Sequence, residues 1–292
     1  MNPTIQENRL FVFGGTYGNL QATSAILNKA RTLGFQPSQM LFTGDLVAYC
    51  GDPQTTTDMI RDIGCHMIMG NCEETLALDA EDCGCGFDEG SACSLLSVQW
   101  YAHCKSSLSN ETKLWMGSLP RYHRVRIGNF NFFACHGTPS SINEFVFETD
   151  HAKTAFHLKQ LEEYDGIISG HCGIPFTVEN SDGIWINSGA VGMPANDGTS
   201  DVWFSTLEIQ PNGDLHITTH RLSYDFYTAK HAMETAGLSN GYMECLESGK
   251  WPSMDVLPVA MREKCGFPIK PTVLKARSKF SDELSQRALT EV

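Results

Sequence analysis

The chain has 292 residues, with 21 Lys and Arg against 34 Asp and Glu and a formal net charge of −13, a length that suits one large α/β domain or a domain with a small appendage. The acidic balance argues against nucleic acid as the main partner, because proteins that bind a phosphate backbone concentrate Lys and Arg on one face. No apolar run is long enough to cross a bilayer and the N-terminus lacks the basic-then-apolar build of a signal peptide, so a cytoplasmic protein with no membrane partner is expected.

Taken in chain order, β-rich runs alternate with helical segments. Arg9–Phe13 reads as a strand, Leu20–Leu33 as an amphipathic helix, Met40–Thr43 as a strand, Thr56–Ile63 as a helix and His66–Met69 as a strand. This alternation predicts βαβ units and a largely parallel sheet. From Glu73 to Pro120 helical segments flank the loop Asp82–Gly90, which reads as an insertion able to overhang a site. Strands return at Tyr122–Ile127, Phe130–Cys135, Gly166–Ser169, Ile184–Asn187 and Val202–Ile209, with a helix after Asp150. Pro211-Asn212-Gly213-Asp214 turns the last strand into Leu215–His220. Beyond Tyr224 the chain reads as helical, and from Pro268 as a polar, loosely attached tail.

Several apolar runs end in Gly-containing polar turns, and ligands in open α/β sheets bind at the carboxyl ends of strands. The turns are Gly15-Thr16-Tyr17-Gly18-Asn19, Gly44-Asp45, Gly70-Asn71-Cys72-Glu73, His136-Gly137 and Gly170-His171-Cys172-Gly173, followed by Asn187–Pro194. Each alone is a common turn or an isolated His. All six in this order, over about residues 9 to 210, resemble the calcineurin-like metallophosphoesterases. The resemblance implies an α/β fold in which βαβ units form two packed mixed sheets flanked by helices. Residues 1–224 would form that domain, with a helical, Cys-rich insertion at about 73–120. Residues 225–292 would form a helical extension ending in the polar tail.

In that family one metal is held by the Asp and His of the first motif, the bridging Asp of the second and the last His of the fifth. Gly15, Tyr17 and Gly173 stand at three of those places. Glycine has no donor and a neutral phenol is a weak ligand, so this half of the centre is expected to be lost. The family's other metal uses positions occupied here by Asp45, Asn71, His136 and His171. Two imidazoles, a carboxylate and an amide oxygen suit one divalent ion of Zn, Fe or Mn.

The resemblance also assigns catalytic positions. Cys72 replaces the His that protonates the leaving group, and Glu73 is the acid that would orient it. A thiol is a poorer acid near neutrality than an imidazole. Tyr17 and Asn19 stand where a metal ligand and a substrate-positioning amide belong. The implied function is hydrolysis of a small phosphorylated substrate, a phosphomonoester or phosphodiester, at a mononuclear centre. The alternatives are a non-catalytic descendant that binds metal, a nucleotide or a protein, and a different chemistry of one metal and neighbouring thiols.

Eleven Cys without an export signal argue for mostly reduced thiols rather than a disulfide framework. Strand alternation turns Cys135 away from His136 and into the interior. Cys72 and Cys172 lie in loops, as apolar filling, softer ligands or nucleophiles. Cys83, Cys85 and Cys93, with Cys104 beyond, lack the spacing of paired zinc knuckles.

Overall fold

Alternation along short apolar strands decides the layering. The computed structural model describes residues 4–279. In strand β2 (Arg9–Phe13), Leu10 and Val12 face one cluster while Phe11 and Phe13 face another, and all four are fully buried. The same division holds in β3 (Met40–Phe42), with Leu41 opposed to Met40 and Phe42. A strand buried on both faces must be apolar at every position, which is why these runs read as continuous rather than alternating.

The strands form two six-stranded mixed sheets. One joins β2 and β3 to β4 (His66–Met67) in parallel, and to β10 (Val202–Ile209), β11 (Leu215–Leu222) and β12 (Val273–Ala276) in antiparallel steps. The other runs in the order β1 (Thr4–Glu7), β5 (Tyr122–Ile127), β6 (Phe130–Cys135), β7 (Gly166–Ser169), β9 (Gly183–Asn187) and β8 (Phe176–Asn180). Between them lies a cluster that includes Leu10, Val12, Leu41, Phe130, Phe132 and Ile186. On the outer face of the first sheet pack α1 (Leu20–Thr32), α2 (Pro53–Ile63), α7 (Phe226–Thr235) and α8 (Gly241–Ser248). On the outer face of the second packs α6 (His151–Gln160). The chain therefore has the expected two packed mixed sheets flanked by helices.

The expected insertion contains α3 (Asn71–Ala77), α4 (Ala92–Ser107) and α5 (Asn110–Met116). A short α9 (Val259–Arg262) precedes the last strand. Three strands differ from the sequence expectation. β1 and β8 are polar in alternation and carry weak strand signals; Ile5 is the one buried residue of β1. The tail from Pro268 is attached: β12 pairs with β11, and buried Asp165 accepts from Ser278 Oγ at 2.8 Å and Lys279 N at 3.0 Å. The rest of that tail, 280–292, lies outside the described residues.

Candidate metal centre

Strands β2, β3, β4, β6 and β7 all end at the same edge, so the five motifs meet there. The backbone links them directly: Gly15 N donates to Gly44 O at 2.8 Å, and Gly170 N to His136 O at 2.8 Å. Space is tight enough to require glycine at Gly70, where a Cβ would lie 2.3 Å from Asp45 Oδ1. Among the described residues, five non-glycine positions have positive φ, and three of them, Tyr17, Asp45 and His171, are in this cluster. Backbone held in that region is costly and persists where the surroundings enforce it.

The geometry around His136 identifies what the cluster can bind. Its Nδ1 lies 2.6 Å from the Thr43 carbonyl, which can only accept, so Nδ1 carries the proton. In the neutral ring Nε2 then presents a lone pair. Facing it are Asp45 Oδ2 at 3.2 Å, Asn71 Oδ1 at 3.1 Å and His171 Nδ1 at 3.2 Å. Asn71 is oriented by its Nδ2, which donates to Cys83 O at 2.9 Å. The donor atoms of Asp45, His136 and His171 lie within 4.8 Å of one another. Lone pairs crowded around one point, with ligands braced from behind, fit a cation.

Without a cation a proton must bridge them, and the titration behaviour reflects that. Burial alone would lower His136, but Asp45 outweighs it and holds the imidazole above its usual range. Burial alone would raise Asp45, yet His136 and His171 keep it below the usual carboxylate range. Burial and the neighbouring His136 push His171 down to about 3, leaving it neutral and able to ligate.

Glu73 has a role the sequence did not reveal. Its carboxylate, wholly buried, accepts from Asp45 N at 2.8 Å, Leu46 N at 2.7 Å and Gly70 N at 2.7 Å. It thus ties the turn bearing Asp45 to the start of α3 bearing Asn71, in the manner of a capping acid at the third helical position. Burial and Asp45 push it up to about 7 against the pull of those N–H groups.

The other predicted positions divide. Tyr17 folds its phenol over Gly15 and toward Gly173: a Cβ at Gly15 would lie 2.9 Å from the hydroxyl oxygen, and one at Gly173 3.6 Å. The ring fills the space that a side chain at Gly15 would need. Burial and Asp45 hold its phenol well above the usual range, hence neutral. Cys72 lies beside the centre, its N–H donating to Asp45 Oδ1 at 3.2 Å, and burial with Asp45 pushes its thiol up. Asn19 does not face the site. Its side chain caps α1 by accepting from Ala22 N and donates to Gly192 O, so its amide is committed to structure.

A cavity of about 60 Å³ opens beside these residues. Tyr49, Phe145, Tyr242 and Trp251 form much of its wall, with Cys85 and Phe87 from the insertion. Phe145 stacks on His171 with ring centroids 4.2 Å apart. Sequence reading missed this wall, because it comes from segments far apart in the chain that carry no motif. Cys83 and Cys85 form a disulfide and nine other cysteines are free, so the thiols are mostly reduced rather than built into a disulfide framework. Cys135 is buried as expected, and burial pushes Cys172 up to about 12, which disfavours a thiolate. Cys93 lines the cavity and Cys104 donates to Ala48 O.

Known proteins share this fold. The uncharacterized protein MJ0912 of Methanocaldococcus jannaschii is 26% identical over 241 residues, covering 76% of this chain and 90% of that protein. A metallophosphoesterase from Sphaerobacter thermophilus superposes with a TM-score of 0.64 at 21% identity, over 84% of this chain and 100% of that one. The hypothetical protein PH1004 from Pyrococcus horikoshii OT3 gives a TM-score of 0.69 at 17% identity, over 83% and 99%. The profile of the calcineurin-like phosphoesterase superfamily domain matches residues 11–210, and with the strand-end cluster in place the chain belongs to that family.

Proposed function

We propose that this protein hydrolyses a small phosphoester with one divalent ion held by Asp45, Asn71, His136 and His171. The observation that carries the reading is the convergence of Asp45 Oδ2, Asn71 Oδ1 and His171 Nδ1 on His136 Nε2, each within 3.1 to 3.2 Å. A Zn, Fe or Mn ion bound there would polarise a phosphoryl oxygen and lower the pKa of its water. The chain's own groups hold the geometry: Thr43 fixes the His136 tautomer, Cys83 O orients Asn71, and Glu73 locks the two turns together. The neutral Tyr17 phenol, which borders the cavity, would donate a hydrogen bond to a phosphoryl oxygen. Cys72, buried as a thiol, is a weak proton donor, so the reaction favours esters with good leaving groups.

A second reading is a non-catalytic ligand-binding protein, favoured by the Tyr17 ring lying where a second metal ligand set would stand. Metal analysis of protein purified without added metal, then assay of bis(p-nitrophenyl) phosphate and p-nitrophenyl phosphate with Mn, Zn and Fe(II), separates the two. The expected result is about one metal per chain and metal-dependent hydrolysis. Metal bound at that ratio with no hydrolysis of either ester would move the second reading ahead.

A further inference from the structure

The cavity beside the candidate centre has a charge composition that selects among phosphoesters. Among the described residues lining it there is no Lys or Arg, and Asp45 is the one carboxylate. With a divalent ion, Asp45 and a neutral His171, the centre carries a net charge of about +1. In an apolar enclosure an unbalanced charge is expensive. A phosphodiester monoanion adds one negative charge to this enclosure, whereas a phosphomonoester dianion adds two with no Lys or Arg in the lining to meet the second.

The hydrogen-bond donors of the cavity point the same way. Tyr17 and Tyr242 are each 6% exposed, and Tyr49 packs against both, with ring centroids 5.0 Å from Tyr17 and 4.3 Å from Tyr242. The hydroxyls of all three make no hydrogen bond to another described residue, yet they border the cavity. These hydroxyls open onto the cavity, where an acceptor on a ligand can meet them. They are neutral donors, and by the family resemblance Tyr17 stands at the position of a ligand to the second cation.

Resting on the phosphoester reading above, we propose that the site takes phosphodiester monoanions in preference to phosphomonoester dianions, with the Tyr17 phenol donating to a phosphoryl oxygen in place of the second metal. The insertion and the C-terminal helices close over this cavity together, Ala92 N donating to Asp255 Oδ2 at 2.9 Å. Compact esters are therefore the suitable probes.

The test uses the full chain loaded with Mn(II) at about pH 8, where a phosphomonoester is a dianion. Phosphorus NMR relaxation of dimethyl phosphate and of methyl phosphate reports the approach of each to the ion. Dimethyl phosphate is expected to bind about tenfold more tightly, and Tyr17→Phe to erase most of that preference by weakening the diester about tenfold. Equal or tighter binding of methyl phosphate by the parent protein overturns the proposal while leaving the phosphoester reading intact. An unchanged preference in Tyr17→Phe overturns the role given to the phenol, and Tyr242→Phe assayed alongside shows whether another hydroxyl carries it. If bound Mn(II) relaxes neither ester, the phosphoester reading fails and this inference with it.

Discussion

Replacing Glu73 tests whether the centre is built by the acid behind it. Its two carboxylate oxygens accept three backbone N–H groups, from Asp45, Leu46 and Gly70, at 2.7 to 2.8 Å in a wholly buried place. Glu73→Ala leaves all three unpaired. Each unpaired buried group costs about 1 to 3 kcal/mol, and water entering the vacated space recovers part of that, so a loss of about 3 to 6 kcal/mol is expected. That is a large share of a typical stability of about 5 to 15 kcal/mol. Glu73→Gln can keep its oxygen at the position that serves Asp45 and Gly70 while its amide meets the Leu46 N–H, a donor facing a donor, at about 1 to 3 kcal/mol. Urea unfolding of the metal-free proteins, followed through tryptophan fluorescence, should rank them parent, Gln, Ala. Metal titration should fall in the same order, because the N–H groups released belong to the turns that carry Asp45 and Asn71. An Ala variant within about 1 kcal/mol of the parent and with unchanged metal affinity would refute this account of Glu73.

Asp45→Ala should abolish tight metal binding and any metal-dependent hydrolysis while circular dichroism stays that of the parent; the lost acceptor for Cys72 N costs about 1 to 3 kcal/mol. Metal retained with full activity would place the centre elsewhere. Because Asp45 raises His136, the metal-free ring keeps its proton to a higher pH than an ordinary imidazole, and a cation must displace it. Binding should release close to one proton and tighten as pH rises until His136 deprotonates unaided, which calorimetry in buffers of different ionisation heat will show; buffer-independent heats would contradict it. Gly15→Asp alone should destabilise by about 1 to 3 kcal/mol, since its Cβ would meet Tyr17 Cζ at 2.8 Å with φ at +57°. Combined with Tyr17→His and Gly173→His it should instead raise the metal content to about two per chain. A triple variant that folds but still binds a single metal would show that the strand ends do not hold the family's second site.

The local chemistry of the strand ends was legible in the sequence. Gly-Asp, Gly-Asn-Cys-Glu, His-Gly and Gly-His-Cys-Gly each sit in a turn between apolar runs, and their order along the chain identified the family and the four lone-pair donors before any coordinates. Strands such as Arg9–Phe13 and Phe130–Cys135 were equally clear, because burial on both faces writes continuous apolar runs. Short strands polar on one side, β1, β8 and β12, were not, since four or five alternating residues carry little signal until a partner strand is beside them. Tertiary structure alone decided how the motifs use their side chains. Asn19 is spent on capping a helix, Glu73 on holding three backbone groups, and Tyr17 on filling the space that a side chain at Gly15 would need. The cavity wall likewise joins Tyr49, Phe145, Tyr242 and Trp251 from distant segments. The physical reason is common to all of these: a turn's conformation follows from its own residues, whereas what a side chain meets depends on contacts between chain segments that only the folded topology brings together.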